Sequence, residues 1–245
     1  IPVDFVVTVN PVPTITNATL TEEFCSGGTT GIATTADIAG TTFTWTAVGS
    51  SGNVTGFSAS GSGNISETLT NSGTAVETVT YTVTPIGPGT PTCPGIPVDF
   101  VVTVNPVPTI TNAILTEEFC SLGTTAIVPT ADVTGTTFTW TAVGSSGNVT
   151  GFSGSGSGNI SETLTNSGTA VETVTYTVTP IGPGTPTCPG IPVDFVVTVN
   201  PVPTITNATL TEEFCSGGTT GIATTADIAG TTFTWTAVGS SGNVT

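Results

Sequence analysis

The sequence predicts an all-β protein built of tandem antiparallel sandwiches, and three observations carry that prediction. The first is internal repetition: a shift of 95 residues lays Ile1 on Ile96 and on Ile191. The second is period-two alternation, in which Val, Phe, Trp and Tyr trade places with Thr along runs such as TFTWTAV and VTYTVT. The third is the length of the repeat, which is enough chain to bury a core of its own and is the usual size of an immunoglobulin-like sandwich.

Composition narrows the function classes. The chain carries 16 carboxylates and no Lys, Arg or His, a formal charge of −16 with no internal cation. Nucleic acid is excluded as a partner, because phosphate binding needs Lys or Arg, and an anionic membrane surface is excluded for the same reason. Charged residues are scarce, so the profile is that of a Thr-rich strand protein rather than an acidic disordered tail. No apolar run approaches the roughly 18 residues of a membrane span, so no membrane insertion is expected in this segment. Without Met at residue 1 or a signal peptide, the chain reads as an interior piece of something longer.

The first two copies differ at eight positions: Thr19/Ile114, Gly27/Leu122, Gly31/Ala126, Ala33/Val128, Thr34/Pro129, Ile38/Val133, Ala39/Thr134 and Ala59/Gly154. The third, Ile191–Thr245, is identical to Ile1–Thr55. Prolines in the NPVP segments (Pro11, Pro13, Pro106, Pro108, Pro201, Pro203) remove ladder donors and mark linkers. Domains are therefore expected at 11–105 and 106–200, with a partial domain at 201–245. Residues 1–10 are the last strand of a preceding repeat, in need of a sheet from a neighbouring copy.

Seven strands are expected in the first full domain: Thr14–Leu20, Gly31–Ile38, Thr41–Val48, Val54–Ser60, Asn64–Thr70, Val76–Thr84 and Pro97–Asn105. Alternation puts Phe43, Trp45 and Ala47 on one face of the third. It puts Val79, Tyr81 and Val83 on one face of the sixth, and Val98, Phe100, Val102 and Val104 on one face of the seventh. These are the expected core faces. On that parity Trp45 is a core residue rather than a sugar-binding platform.

TTFTWTAVG, VETVTYTVTPIGPG and CPGIPVDFVVTVNPVPTI resemble the PKD-like, immunoglobulin-like repeats of giant Bacteroidota cell-surface adhesins, the flavobacterial gliding-motility adhesins among them. The resemblance covers the whole chain. It departs from typical PKD domains after Trp45, where Thr46, Ala47, Val48 and Gly49 replace an Asp-Phe-Gly-Asp-Gly type of turn. It implies type IX secretion, an extracellular cell-surface location and an adhesive or gliding role.

Each complete repeat has two cysteines: Cys25, Cys120 and Cys215 after the first strand, Cys93 and Cys188 before the last. Their spacing does not suit zinc, and disulfides are expected. Two schemes stand. Pairing within repeats joins Cys25 to Cys93 and Cys120 to Cys188, closing loops worth about 4 kcal/mol each in the chain-entropy model. Yet sandwich topology puts the two loops at opposite ends, on the order of 25 Å apart at 3.3 Å per residue, whereas a disulfide needs Cα atoms within about 7 Å. That favours a staple between repeats, Cys25 to Cys188, unless the long loops fold back along their own domain.

Catalytic chemistry has few candidates. Without His or Lys there is no conventional nucleophile–base pair, and no catalytic or cofactor-binding residue is assigned. GSSGNVTGFSASGSGN (49–64) lacks the Lys of a phosphate-binding loop, and the absent Lys also excludes Lys–Asn isopeptide bonds. Glu22 and Glu23 are candidate Ca²⁺ ligands at a junction, against the plainer reading of a solvated acidic loop. Glu67, on apolar parity between Ile65 and Leu69, is expected at a bulge or an edge strand. Outward Thr rows read as ordinary solvent-facing strand residues rather than ice-binding or O-glycosylated ladders. Asn17, Asn53 and Asn64 sit in N-x-Ser/Thr sequons. The expectation is a non-enzymatic extracellular repeat protein, a rod or filament whose partners are adjacent repeats and other copies. The alternative is a laterally self-assembling fibre with strand exchange between copies.

Overall fold

The computed structural model describes residues 2–242 and 244. In the first repeat the strands are β1 (Thr21–Cys25), β2 (Thr42–Gly49), β3 (Val54–Thr55), β4 (Ser60–Ser62), β5 (Thr70–Asn71), β6 (Glu77–Ile86) and β7 (Val98–Asn105). In the second they are β8 (Thr116–Cys120), β9 (Thr137–Gly144), β10 (Val149–Thr150), β11 (Ser155–Ser157), β12 (Thr165–Asn166), β13 (Glu172–Gly182), β14 (Cys188–Pro189) and β15 (Val193–Asn200). The expected all-β class holds.

One layer of the first repeat is a five-stranded sheet in the order β1-β7-β6-β2-β4. The β2, β6 and β7 ladders are antiparallel, but β1 runs parallel to β7, with Thr21 beside Val101 and Cys25 beside Asn105. The facing layer is looser, held by β3–β5 and by single bridges at Ile15–Ala36, Thr29–Thr68 and Ile32–Ile65. Between the layers lie Trp45, Ala47, Val79, Tyr81, Val83, Phe100, Val102 and Val104, all buried with Ile32, Val54, Ile65 and Leu69. The parity expected for the three long strands is the parity found. Trp45 packs edge-to-face on Tyr81 with centroids 5.5 Å apart, and a Cβ on Gly61 would collide with its indole. The second repeat carries the same sheet as β11-β9-β13-β15-β8.

Strand positions in the facing layer differ from expectation. Thr14–Leu20 and Gly31–Ile38 do not form regular strands. Side chains take over the ladder's work there: Asn17 Nδ2 donates to Ala33 O (2.7 Å) while its Oδ1 accepts from Thr35 N (2.9 Å). Asp37 accepts from both the backbone N–H and the hydroxyl of Thr14. The true first strand follows at β1. The single strand expected at Val54–Ser60 is two strands in two layers. The chain crosses between them at Gly56, whose φ of 96° is in the left-handed region and where a Cβ would strike the carbonyl of Thr68.

By internal contacts the chain divides into two compact units. The first comprises Ile1–Ala113, Pro129–Thr139 and Val178–Val193; the second comprises Ile114–Val128, Trp140–Thr177 and Asp194–Thr245. The first unit thus holds the whole first repeat together with the Pro/Gly loop of the second.

Candidate functional site

Several of the carboxylates accept hydrogen bonds from the chain itself. Tyr81 donates its hydroxyl to Glu67 (2.7 Å), and Ser58 N donates to the other oxygen (2.9 Å). This pairing, rather than a bulge, lets a half-buried Glu67 share a face with Ile65 and Leu69. Burial and the neighbouring Glu67 push the Tyr81 phenol far above its ordinary pKa. Glu77, at the start of β6, is buried and accepts from Ser50 and Asn53. Hydrogen bonds from Ser50, Ser51 and Asn53 hold it below the usual carboxylate range. Tyr176–Glu162 and Ser145–Glu172 repeat both arrangements in the second repeat.

Glu22 and Glu23 lie on strand β1 rather than in an acidic loop. Glu22 accepts from Gly31 N, and Glu23 accepts from Asn105 Nδ2 at 2.9 Å. Neighbours on a strand point to opposite faces, so the two do not converge on one ion. Among the described residues no three His, Cys, Asp or Glu side chains gather into a metal-binding group.

The built feature is the passage from the first repeat into the second. Parallel pairing places Cys25 at the level of Asn105, where β7 ends and NPVP begins. Over that passage folds the Pro/Gly loop that follows β13. Side chains on its glycines would crowd the linker: a Cβ on Gly184 would stand 3.0 Å from Asn105 Nδ2, and one on Gly182 3.2 Å from Pro108 Cδ. Asn105, Pro106 and Pro108 are buried as a result. β14 then returns along β13, with Cys188 opposite Gly182. Cys188 is fully buried and is disulfide-bonded to Cys25, with Cα atoms 5.5 Å apart across 163 residues of sequence.

The pairing within repeats, Cys25 to Cys93 and Cys120 to Cys188, is therefore not the one formed. Its physical obstacle is the one topology suggested: the end of β1 and the loop before β7 sit at opposite ends of one sandwich. Cys93, Cys120 and Cys215 are free thiols in this structure. Sequence reasoning located the staple but missed the residues that seat it, Asn105 and the glycines 182, 184 and 190. The signal was present in PIGPGTPTCPG, whose glycines fall where the loop touches the linker.

A family profile described as the PKD-like domain matches residues 22–108 and 117–203, each match starting in the β1-type strand and ending at NPVP. No curated protein matches the chain. Among solved structures, protocadherin Gamma B2 extracellular cadherin domains 3–6 align with a TM-score of 0.36 at 10% identity, over 78% of this chain and 51% of that one. Drosophila N-cadherin gives 0.36 at 12%, over 79% and 50%. An I-band fragment of titin gives 0.39 at 8%, over 80% and 66%. The chain spans about half the length of the first two. With both complete repeats matched by the profile, this chain belongs to the PKD-like domain family.

Proposed function

We propose that the chain is a serial array of non-catalytic, extracellular sandwich domains, bounded at NPVP as 11–105 and 106–200, that forms a rod or filament of a bacterial surface adhesin. Tandem PKD-like and immunoglobulin-like modules are typical of extracellular adhesion-type proteins, and such modules are typically structural. The observation that carries the reading is the Cys25–Cys188 disulfide, which ties one repeat covalently to the next. Such bonds persist in oxidising compartments and suit a chain that must transmit load between domains. The resemblance to gliding-motility adhesins supports surface attachment and a role in adhesion or gliding. Electron microscopy of the chain tests the array: single-domain-wide threads are expected, and multi-chain bundles with strands crossing between chains would favour the lateral fibre instead.

A further inference from the structure

The differences between the first two repeats are not spread evenly over the sandwich. Thr19, Gly31 and Ala33, which become Ile114, Ala126 and Val128 in the second, all line one groove of the first. The groove has a volume of about 320 Å³ and lies between the start of β1 and the 31–33 segment of the facing layer. Ile32 and Phe100, both buried, give it an apolar wall.

Glu22 lines the same groove from the inward face of its strand. The β1–β7 register sets Glu22 beside Val102 and Phe24 beside Val104, and both valines are fully buried. Glu22 therefore shares a face with Phe24, which packs on the core, and it is half-buried. Its two oxygens accept from Gly31 N at 3.2 and 3.1 Å. A carboxylate offers about four lone-pair sites, so capacity for a further donor remains. The chain has no Lys, Arg or His to supply a charged one.

A Cβ on Gly31 would stand 3.7 Å from Glu22 Oε1, in ordinary contact. The first repeat leaves that side of the carboxylate open. The second carries the methyl, as Ala126, whose N donates to both oxygens of Glu117 at 3.2 Å. Ile114 and Val128 add exposed apolar surface there.

We propose that the groove of the first repeat docks a lysine side chain carried on an extended segment of a partner protein. Its ammonium would meet Glu22, and its stem would lie on Ile32 and Phe100. Charge complementarity selects a cation, and the apolar wall selects one borne on an alkyl stem. Lysine is preferred to arginine because both Glu22 oxygens already face Gly31 N, which leaves no parallel pair for a guanidinium fork. β1 is the outermost strand of its sheet, so an extended segment has an edge to follow. This site goes beyond the serial-array reading and does not depend on it.

The test is an amide NMR titration of the full chain with a capped Ala-Thr-Lys-Thr-Ala peptide, beside versions with norleucine or arginine at the centre. With lysine, shifts centred on the Glu22 and Gly31 amides are expected, saturating at one site per chain. Norleucine in the peptide, or Glu22→Gln in the protein, should weaken binding about tenfold or more, as loss of a charge-assisted hydrogen bond does. Arginine should bind more weakly than lysine. The triple variant Thr19→Ile, Gly31→Ala, Ala33→Val should lose the site, and since the second repeat folds with those residues the loss is not one of folding. The reverse triple, Ile114→Thr, Ala126→Gly, Val128→Ala, should raise the count to two sites. The proposal is overturned by any of four results: no lysine-dependent shift, equal binding of the norleucine or arginine peptide, binding unchanged by Glu22→Gln or the first triple, or a reverse triple that stays at one site. Glu22 would then serve only as an inward charge guarding the sheet edge.

Discussion

Residues 11–55 and 201–245 have the same sequence, and their described residues adopt different structures. In the first, Trp45 is 7% exposed in a packed core; in the second, Trp235 is 82% exposed. The same contrast holds for IPVDFVVTVN, where Phe100 is 2% exposed on β7 and Phe5 is 91% exposed near the N-terminus. What survives in the third copy is local. Thr204 still donates to Asp227, Asn207 still spans Ala223 and Thr225, and Ile205 still bridges Ala226. What is missing among the described residues is every long strand. A β2-type strand forms against β6, and a β1-type strand against β7, so neither exists without its long-range partner. Strand propensity in TFTWTAV is not enough.

The largest effect should come from supplying the missing partners. Appending the sequence of Gly56–Asn105 after Thr245 is expected to fold the third copy. Trp235 would move from water into a core, with a blue-shifted emission and protection from protease. An unchanged Trp235 emission would mean that β6 and β7 are not what separates the two copies. The converse is Phe100→Ala in the first repeat, expected to cost about 3–5 kcal/mol as a cavity among fully buried neighbours.

The staple ranks next. Cys25→Ser removes a constraint on a long loop, for which about 2–4 kcal/mol is typical. A mechanical readout is sharper. Force applied to the two ends passes through the disulfide and bypasses the whole chain between its cysteines, a sequence separation of 163. Reduction should therefore lengthen the fully unfolded chain by roughly 55 nm at about 3.4 Å per residue. Equal contour lengths with and without reductant would mean that Cys25 and Cys188 do not bear the load.

Smaller again is the loss of the hydroxyl that steadies Glu67. Tyr81→Phe and Tyr176→Phe should each cost about 1 kcal/mol, leaving one carboxylate short of a donor. They should also change the alkaline limb of stability. A phenol whose folded pKa is raised contributes below its unfolded value of 10.0 and loses that contribution as pH rises past it. The wild type is thus expected to weaken above pH 10, and the double variant to lose that limb. At the acid end the sign reverses. Glu77 is depressed below 4.5 in the fold, so its contribution is present above that pH and lost beneath it. Denaturation midpoints against pH check both limbs.

The legible parts of the sequence were those in which the residue pattern and the final environment agree. Alternation placed Trp45, Tyr81 and Phe100 correctly because β2, β6 and β7 have one wet face and one dry face. The 95-residue period, combined with sandwich topology, placed the staple at a junction. β1 was not legible. TEEFC has two adjacent carboxylates and reads as loop; it becomes a strand because the edge of β7 is open to it and because Gly31 N and Asn105 Nδ2 donate hydrogen bonds to its carboxylates. The facing layer was not legible either, since Asn17 and Asp37 replace ladder bonds with side-chain bonds that alternation does not encode. The Pro/Gly loop was legible as a junction contact through its cysteine, but the residues that seat it were not, because they depend on a linker about 75 residues away in sequence, far beyond the window of local pattern.

The smallest effect compares the two complete repeats at one turn. Gly27 has φ 90°, and its counterpart Leu122 has φ 75°, the only non-glycine residue in that region among those described. Both turns keep the same hydrogen bond, Gly27 N to Leu69 O (2.8 Å) and Leu122 N to Leu164 O (2.7 Å). The second repeat therefore holds its turn against the steric preference of an L-residue, which disfavours this region by about 1–2 kcal/mol. The Leu122 side chain is exposed, so little packing offsets that strain. Part of the gain from glycine is lost to its greater freedom in the unfolded chain, roughly 0.5–1 kcal/mol. Leu122→Gly should then stabilise the second repeat by about 0.5–1 kcal/mol, and Gly27→Leu should destabilise the first by a similar amount. Urea midpoints of the two variants decide it. A destabilised Leu122→Gly would show that the leucine makes a contact worth more than the strain of its turn.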